Sequence, residues 1–114
     1  MIHIAICDDE KHMSDHIRAM ASDFFRKKNR EIQLGTFTSG EELLNYDGQI
    51  DILFLDIQMK GMDGMETARK LRADKFRGFL IFITVLKEMV FQSFEVQAYD
   101  YLVKPVDKKQ FEKT

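Results

Sequence analysis

The sequence predicts an α/β domain: a doubly wound, five-stranded parallel sheet with helices on both faces. Three observations carry this. Short apolar runs alternate with longer segments whose apolar residues recur at three- and four-residue steps. Two of the runs, Ile52-Leu53-Phe54-Leu55 and Phe79-Leu80-Ile81-Phe82-Ile83, are unbroken. Continuous apolar strands are buried on both faces, as in a parallel sheet. The segments between runs are long enough for the crossover helices that parallel strands require.

Taken in order, Ile2–Cys7 is the first strand. A helix follows over 11–28, where Met13, Ile17, Met20, Phe24 and Phe25 keep the helical period. Its end carries Arg26, Lys27, Lys28 and Arg30, cations that complement the negative end of the helix dipole. Ile32–Phe37 is the second strand. Ser39 is an N-cap, and Glu42 three residues on completes a capping box for a short helix reaching about residue 46. The third strand spans 51–56, a helix covers 63–73, and Phe79–Thr84 is the fourth strand. A helix over 88–95 precedes a fifth strand at 99–103. A fifth helix begins near residue 107 and is expected to be truncated, since Thr114 falls in its first turns.

With 114 residues the chain makes one domain. Its 45% hydrophobic and 32% charged residues exclude disorder. A net charge of −2 argues against nucleic-acid binding by this domain. The single cysteine, Cys7, permits no internal disulfide, and with seven methionines it suits a reducing compartment. Charged residues begin at Asp8, so the start does not read as a signal peptide, and no window approaches the roughly 18–20 apolar residues of a membrane span. The chain is expected to be cytoplasmic.

Ligands of open α/β sheets sit at the carboxyl ends of the strands. Here those ends carry Cys7-Asp8-Asp9, Asp56, Thr84 and Lys104-Pro105. Three carboxylates, a hydroxyl and an ammonium are expected to share one rim. Three crowded carboxylates repel, so one takes up a proton unless cations intervene. Lys104 supplies one positive charge, and a divalent ion brings the formal sum to zero. Oxygen donors favour Mg²⁺ over zinc. A nucleophilic carboxylate beside such an ion and a lysine suits a phosphoryl acceptor, with Thr84 donating a hydrogen bond to the transferred group.

Cys7-Asp8-Asp9-Glu10, Leu55-Asp56-Ile57-Gln58-Met59, Met62-Asp63-Gly64, Ile83-Thr84 and Tyr101-Leu102-Val103-Lys104-Pro105 together resemble the motif set of two-component response regulator receiver domains, over nearly the whole chain. The segment 94–101 further resembles regulators that carry a LytTR-type DNA-binding domain. The resemblance implies a CheY-like, flavodoxin-like fold with strand order 2-1-3-4-5. It implies Asp56 as phosphoryl acceptor, with Asp9 and Asp56 ligating Mg²⁺ directly, Asp8 mainly through water, and Gln58 through its backbone carbonyl. Thr84 contacts the phosphoryl group and Lys104 pairs with it. Thr84 and Tyr101 form the switch, and the Lys104–Pro105 peptide is cis. A sensor histidine kinase is the implied donor. DNA is reached only through an output domain outside this chain, which is then an N-terminal piece of a longer transcriptional regulator. Such a chain is no turnover enzyme and catalyses only its own aspartyl phosphorylation and slow dephosphorylation. Two departures stand out. Lys60 occupies a position where the family usually has proline, and Val85 follows Thr84 where a small residue is usual.

Other readings compete. Asp8-Asp9 suits a helix cap and first-turn acid. Cys7 reads as a small core residue. His12 and His16 have the spacing of a zinc pair, lack a third ligand of matching type, and read as solvent-facing. Met89, Val90, Phe91 and Phe94 form an apolar helix stripe, and Leu86 is placed to keep water from an aspartyl phosphate. Two functional alternatives stay open: a haloacid-dehalogenase-like phosphatase, which expects Asp-x-Asp after the first strand, and a pseudo-receiver that acts purely by interaction. Only Val106 and Phe111 are available to begin the fifth helix's cover of the sheet. On the order of 400 Å² of bare apolar surface is expected, equivalent to roughly 10 kcal/mol, and with it self-association into a homo-oligomer.

Overall fold

A computed structural model describes residues 1–84, 96–104 and 106–113. The expected helix over 88–95 with its stripe, Val85, Leu86, Pro105 with its cis peptide, and Thr114 lie outside the described residues. Within them, five strands form one parallel sheet: β1 (Ile2–Cys7), β2 (Ile32–Phe37), β3 (Ile52–Asp56), β4 (Phe79–Thr84) and β5 (Asp100–Val103). Their order is β2-β1-β3-β4-β5, as the resemblance implies. The helices are α1 (Lys11–Lys27), α2 (Gly40–Leu44), α3 (Gly64–Ala73) and a C-terminal helix (Lys108–Lys113).

The unbroken apolar runs divide by strand alternation between two cores. Leu53, Leu55, Leu80 and Phe82 face one side with Ala5 and Cys7, against Leu43 of α2 and Met65 and Ala68 of α3. Phe54, Ile81 and Ile83 face the other with Ile4, Ile6 and Leu102, against Ile17 and Ala21 of α1 and Phe111. Successive strand residues point to opposite faces, so a strand packed on both sides has no position left for a polar residue.

Helix starts follow local chemistry. Ser39 caps α2, its hydroxyl accepting from the Glu42 N–H at 3.0 Å. The expected reciprocal half of the capping box gives way to a different bond, in which the Glu42 carboxylate accepts from the Thr38 hydroxyl at 3.2 Å. Asp63 caps α3 by accepting from the Glu66 N–H at 2.8 Å. The reading of Asp8-Asp9 as cap and first-turn acid fails. The N-cap of α1 is Glu10, whose side chain makes no capping bond, and the first turn holds no acid. The basic run behaves as expected, with Arg26 and Lys27 in the last turn of α1 paired to Asp23 at 2.7 and 3.3 Å.

Val106 and Phe111 begin the cover of the apolar face. Phe111 stacks on Phe54 with ring centroids 5.5 Å apart and meets Phe24 edge-on at 6.3 Å. Phe54, Ile81, Val106 and Phe111 are all buried. Two polar pins hold this cover to α1. The Lys108 ammonium reaches Asp23 at 3.4 Å, and His16 donates from Nε2 to the Val106 carbonyl at 2.8 Å. His16 is therefore a tether across the fold and not merely a solvent-facing residue. No described helix is long and apolar enough to cross a membrane.

Candidate functional site

The register of the sheet brings the strand ends level. Cys7 pairs with Leu55, Asp56 with Ile83, and Thr84 with Val103. Asp8, Asp56, Thr84 and Lys104 therefore meet on one rim. Asp8, Asp56 and Thr84 are all but inaccessible, at 1%, 1% and 2% exposure. The Lys104 N–H donates to the Thr84 carbonyl at 2.8 Å, tying the ends of β4 and β5 together. The Lys104 ammonium then lies 3.3 Å from Asp8 Oδ2, 3.4 Å from Asp56 Oδ2 and 4.0 Å from Glu10 Oε1.

These ion pairs are long. Charge-assisted N–H···O bonds run to about 2.7–2.9 Å. Asp8 Oδ2 and Asp56 Oδ2 are buried without a hydrogen-bond partner, and they are the atoms that face Lys104. Burial without a partner is costly for a charged oxygen. Burial pushes the Asp56 carboxyl up to about 7, and the negative charge of Asp8 adds to the shift while Lys104 opposes it. Burial works against the Lys104 charge, but Asp56 and Asp8 outweigh it and hold that ammonium above its usual range. The expected repulsion between crowded carboxylates is thus present, with one ammonium between them.

The remaining predicted residues fall as follows. Asp9 joins Asp8 and Glu10 in a group whose ligand-capable atoms lie within 4.8 Å of one another. Orphaned buried oxygens beside a hard-oxygen cluster are what a divalent cation such as Mg²⁺ satisfies, so the residues fit one. Gln58 is exposed on the loop that follows Asp56, and that loop lines a shallow cleft with Asp9, Lys60 and Asp63. Tyr101 is 37% exposed, on edge strand β5. Cys7 sits beneath the rim, where burial first and then Asp8 push its thiol up to about 12. It is an inert core residue, as expected.

Sequence reasoning named Gly64 without its reason. A Cβ there would stand 2.0 Å from the Asp56 carbonyl oxygen and 2.8 Å from Ile57 Cα. Its own N–H donates to the Ile57 carbonyl at 2.8 Å, so α3 begins pressed against the acceptor strand. Glu10 was quoted in a motif but given no role, though it completes the acidic group; the run of three acids was the available signal.

A family model described as the response regulator receiver domain matches residues 4–114. The chain belongs to the receiver domain family. This receiver is 33% identical over 115 residues to the sensory transduction protein LytT of Oceanobacillus iheyensis, covering 96% of this chain and 45% of that protein. It is 32% identical over 117 residues to the transcriptional regulatory protein BtsR of Escherichia coli strain K12, covering 100% of this chain and 46% of that one. The chain thus spans about half the length of these curated relatives. Relatives named LytT agree with the resemblance to LytTR-type regulators. Among solved structures, the response regulatory domain of mrkE from Klebsiella pneumoniae matches with a TM-score of 0.84 at 25% identity, covering 98% of this receiver and 90% of that chain. The response regulator TrrA from Thermotoga maritima, in complex with Mg²⁺-BeF, matches with a TM-score of 0.76 at 26% identity, covering 99% and 95%.

Proposed function

We propose that this receiver takes a phosphoryl group from a sensor histidine kinase onto Asp56. The observation that carries the reading is the pair of buried, unpartnered oxygens, Asp8 Oδ2 and Asp56 Oδ2, facing the Lys104 ammonium. Asp8, Asp9, Asp56 and the Gln58 backbone carbonyl would hold Mg²⁺. When bound, it neutralises the carboxylates and the charge on the transferred group. The Mg²⁺-BeF complex of TrrA, a related fold at 26% identity, supports that choice of ion.

The chain's own groups have distinct tasks. A carboxylate oxygen of Asp56 attacks the phosphorus while the bond from phosphorus to the donor nitrogen breaks, leaving an aspartyl phosphate. Attack needs the ionised carboxylate, and a carboxyl with a pKa near 7 is partly protonated at neutral pH. Discharging the repulsion from Asp8 therefore activates the nucleophile. Lys104 is placed to pair with the arriving phosphoryl oxygens. Thr84, at the end of β4, donates its hydroxyl to them, and its movement together with Tyr101 would carry the signal outward. Because the chain covers under half of LytT and BtsR, transcriptional output, DNA contact and a longer polypeptide around this domain are part of the proposal. So is a cytoplasmic location. Self-association into a homo-oligomer is part of the proposal too, with Phe111 already stacked on Phe54 on the face expected to drive it.

Intact-mass measurement after incubation with acetyl phosphate and Mg²⁺ tests the reading. One phosphoryl increment is expected on the wild type and none on Asp56→Ala. Equal uptake by the variant would sink the assignment of Asp56. No uptake by a folded, Mg²⁺-binding wild type would favour the pseudo-receiver. Catalytic turnover of small phosphate esters would favour the phosphatase, which the family match already disfavours.

A further inference from the structure

A groove of about 740 Å³ opens at the amino-terminal rim, between the segment joining α3 to β4 on one side and residues 97–99 on the other. Arg72 ties the two walls together, donating to the Phe76 and Gly78 carbonyls of one and the Gln97 carbonyl of the other. Phe79 and Tyr99 line the groove, 56% and 60% exposed, with ring centroids 5.1 Å apart. Both are anchored by the main chain: the Phe79 N–H donates to the Asp51 carbonyl at 2.9 Å, and the Tyr99 N–H to the Leu80 carbonyl at 2.7 Å. Single exposed apolar residues are ordinary, whereas a fixed aromatic pair beside a concavity marks a binding surface. Lys75 and Arg77, both exposed, line the same groove, and no acidic residue does among the described residues. The backbone bears a cost in presenting these walls. Lys75 has φ +69 and Gln97 φ +55, in the left-handed region where glycine is at ease. Two of the three described non-glycine residues in that region thus line this groove. Lys75 follows the last turn of α3, its N–H on the Arg72 carbonyl, a place that glycine usually fills. Such strain gathers at ligand clamps.

We propose that this groove is a docking surface for an acidic protein segment that carries an apolar side chain. The apolar group packs on Phe79 and Tyr99, and flanking carboxylates pair with Lys75 and Arg77. Tyrosine, phenylalanine and arginine are enriched where proteins recognise one another. Charge selects the class of partner: a cationic wall with no acid beside it draws a negative segment, although the chain as a whole carries −2. Single-stranded nucleic acid also stacks on aromatic rings, but it needs a cationic track along its backbone. Here Arg72 is committed to carbonyls, which leaves Lys75 and Arg77 as the cations that face the groove. The surface lies at the rim opposite Asp56 and does not depend on the reading of the acidic cluster.

Amide chemical shifts of the full chain, followed while a short synthetic peptide of aspartates and glutamates around one phenylalanine is added, test this. Saturable shifts are expected at residues 75–79 and 97–99. Arg77→Glu and Tyr99→Ser should each weaken binding about tenfold, and so should serine in place of the peptide's phenylalanine. Lys75→Gly separates docking from architecture. Glycine suits φ +69, so this variant should keep or gain stability and yet bind the peptide more weakly. No shifts, shifts confined to other residues, or an affinity indifferent to these substitutions overturns the proposal. Tighter binding of a thymidine oligonucleotide than of the peptide at the same amides overturns it in favour of nucleic acid. The substitution in the peptide keeps the proposal falsifiable if a protein variant fails to fold.

Discussion

The two rims of the sheet each carry a partly buried cation, and they treat it in opposite ways. At the amino-terminal rim Arg72 donates to four carbonyls, those of Val96, Phe76, Gly78 and Gln97, at 2.7, 2.8, 3.1 and 2.9 Å. At the carboxyl-terminal rim Lys104 faces two carboxylate oxygens that lack hydrogen bonds. The guanidinium fork matches neutral acceptors spread over the end of α3, the start of β4 and the segment before β5. The ammonium is a point charge set among surplus negative charge. At one rim four of the five guanidinium N–H donors are taken up by neutral carbonyls, which makes a joint. Under-satisfaction at the other leaves oxygens available to a ligand, and among the described residues the buried side-chain oxygens without a partner lie at this rim.

Removing each cation in turn breaks the comparison most sharply. Lys104→Met leaves Asp8 and Asp56 facing each other without compensation, and breaking a buried pair costs about 3–5 kcal/mol. In metal-free buffer the loss should be largest above about pH 8 and smaller near pH 5, where a proton can replace the ammonium. Arg72→Met leaves carbonyls short of a donor, some with access to water, at a cost of about 2–3 kcal/mol. Carbonyls do not titrate, so this loss should be the same at both pH values. Denaturant unfolding of both variants checks it, and a pH-independent Lys104→Met penalty would remove the contrast.

Asp56→Asn sharpens the same point from the acid side. The folded-state pKa of Asp56, about 7, lies above the ordinary carboxylate value. The folded protein therefore holds the proton more tightly than the unfolded chain does. The contribution of this group to metal-free stability is fully present at low pH and falls as pH rises from about 4 toward 7. The amide that replaces the carboxyl has no such proton to lose, so the variant should be flatter across that window and more stable than wild type above it. The shift belongs to the Asp8–Asp56 pair, and partial flattening is the expected form. Mg²⁺ at a hundredfold excess over its dissociation constant should add about 2.7 kcal/mol to the wild type, with little gain for the variant.

What the sequence made legible follows the same division. Period and continuity of apolar residues exposed the parallel strands, because a strand buried on two faces has no room for polar residues, as Leu53 and Phe54 show on opposite sides of β3. The rim was legible because Asp56, Thr84 and Lys104 each end or follow such a strand. Less legible were contacts made by main-chain atoms or by residues far apart in sequence. Arg72 drew no notice in the sequence, because its four partners are backbone carbonyls with no sequence signature. The Lys60–Asp9 bond links an N–H that every residue but proline owns to a carboxylate 51 positions away. Spacing likewise cannot tell that one phenylalanine, Phe111, reaches both Phe54 and Phe24.

The smallest effects concern the helix starts at the carboxyl-terminal rim. Ser39 and Asp63 both accept from an N–H three residues on, and replacing such a cap with alanine costs about 1 kcal/mol. Glu10 holds the same formal place on α1 but makes no side-chain capping bond. Its carboxylate is exposed and lies 4.0 Å from the Lys104 ammonium. Glu10→Ala should therefore stay within about 0.5 kcal/mol of wild type, as surface substitutions usually do. Ser39→Ala and Asp63→Ala should each lose about twice that or more. The two groups separate further in Mg²⁺ titration. Asp63→Ala loosens the start of α3, which Gly64 presses against the Asp56 carbonyl, without removing a charge from the cluster. Glu10→Ala removes one of its three negative charges, so it should weaken Mg²⁺ binding although it barely moves the unfolding midpoint. If Glu10→Ala instead lowered stability as much as the two cap variants, Glu10 would belong with the structural caps and the acidic group of Asp8, Asp9 and Glu10 would shrink to Asp8 and Asp9.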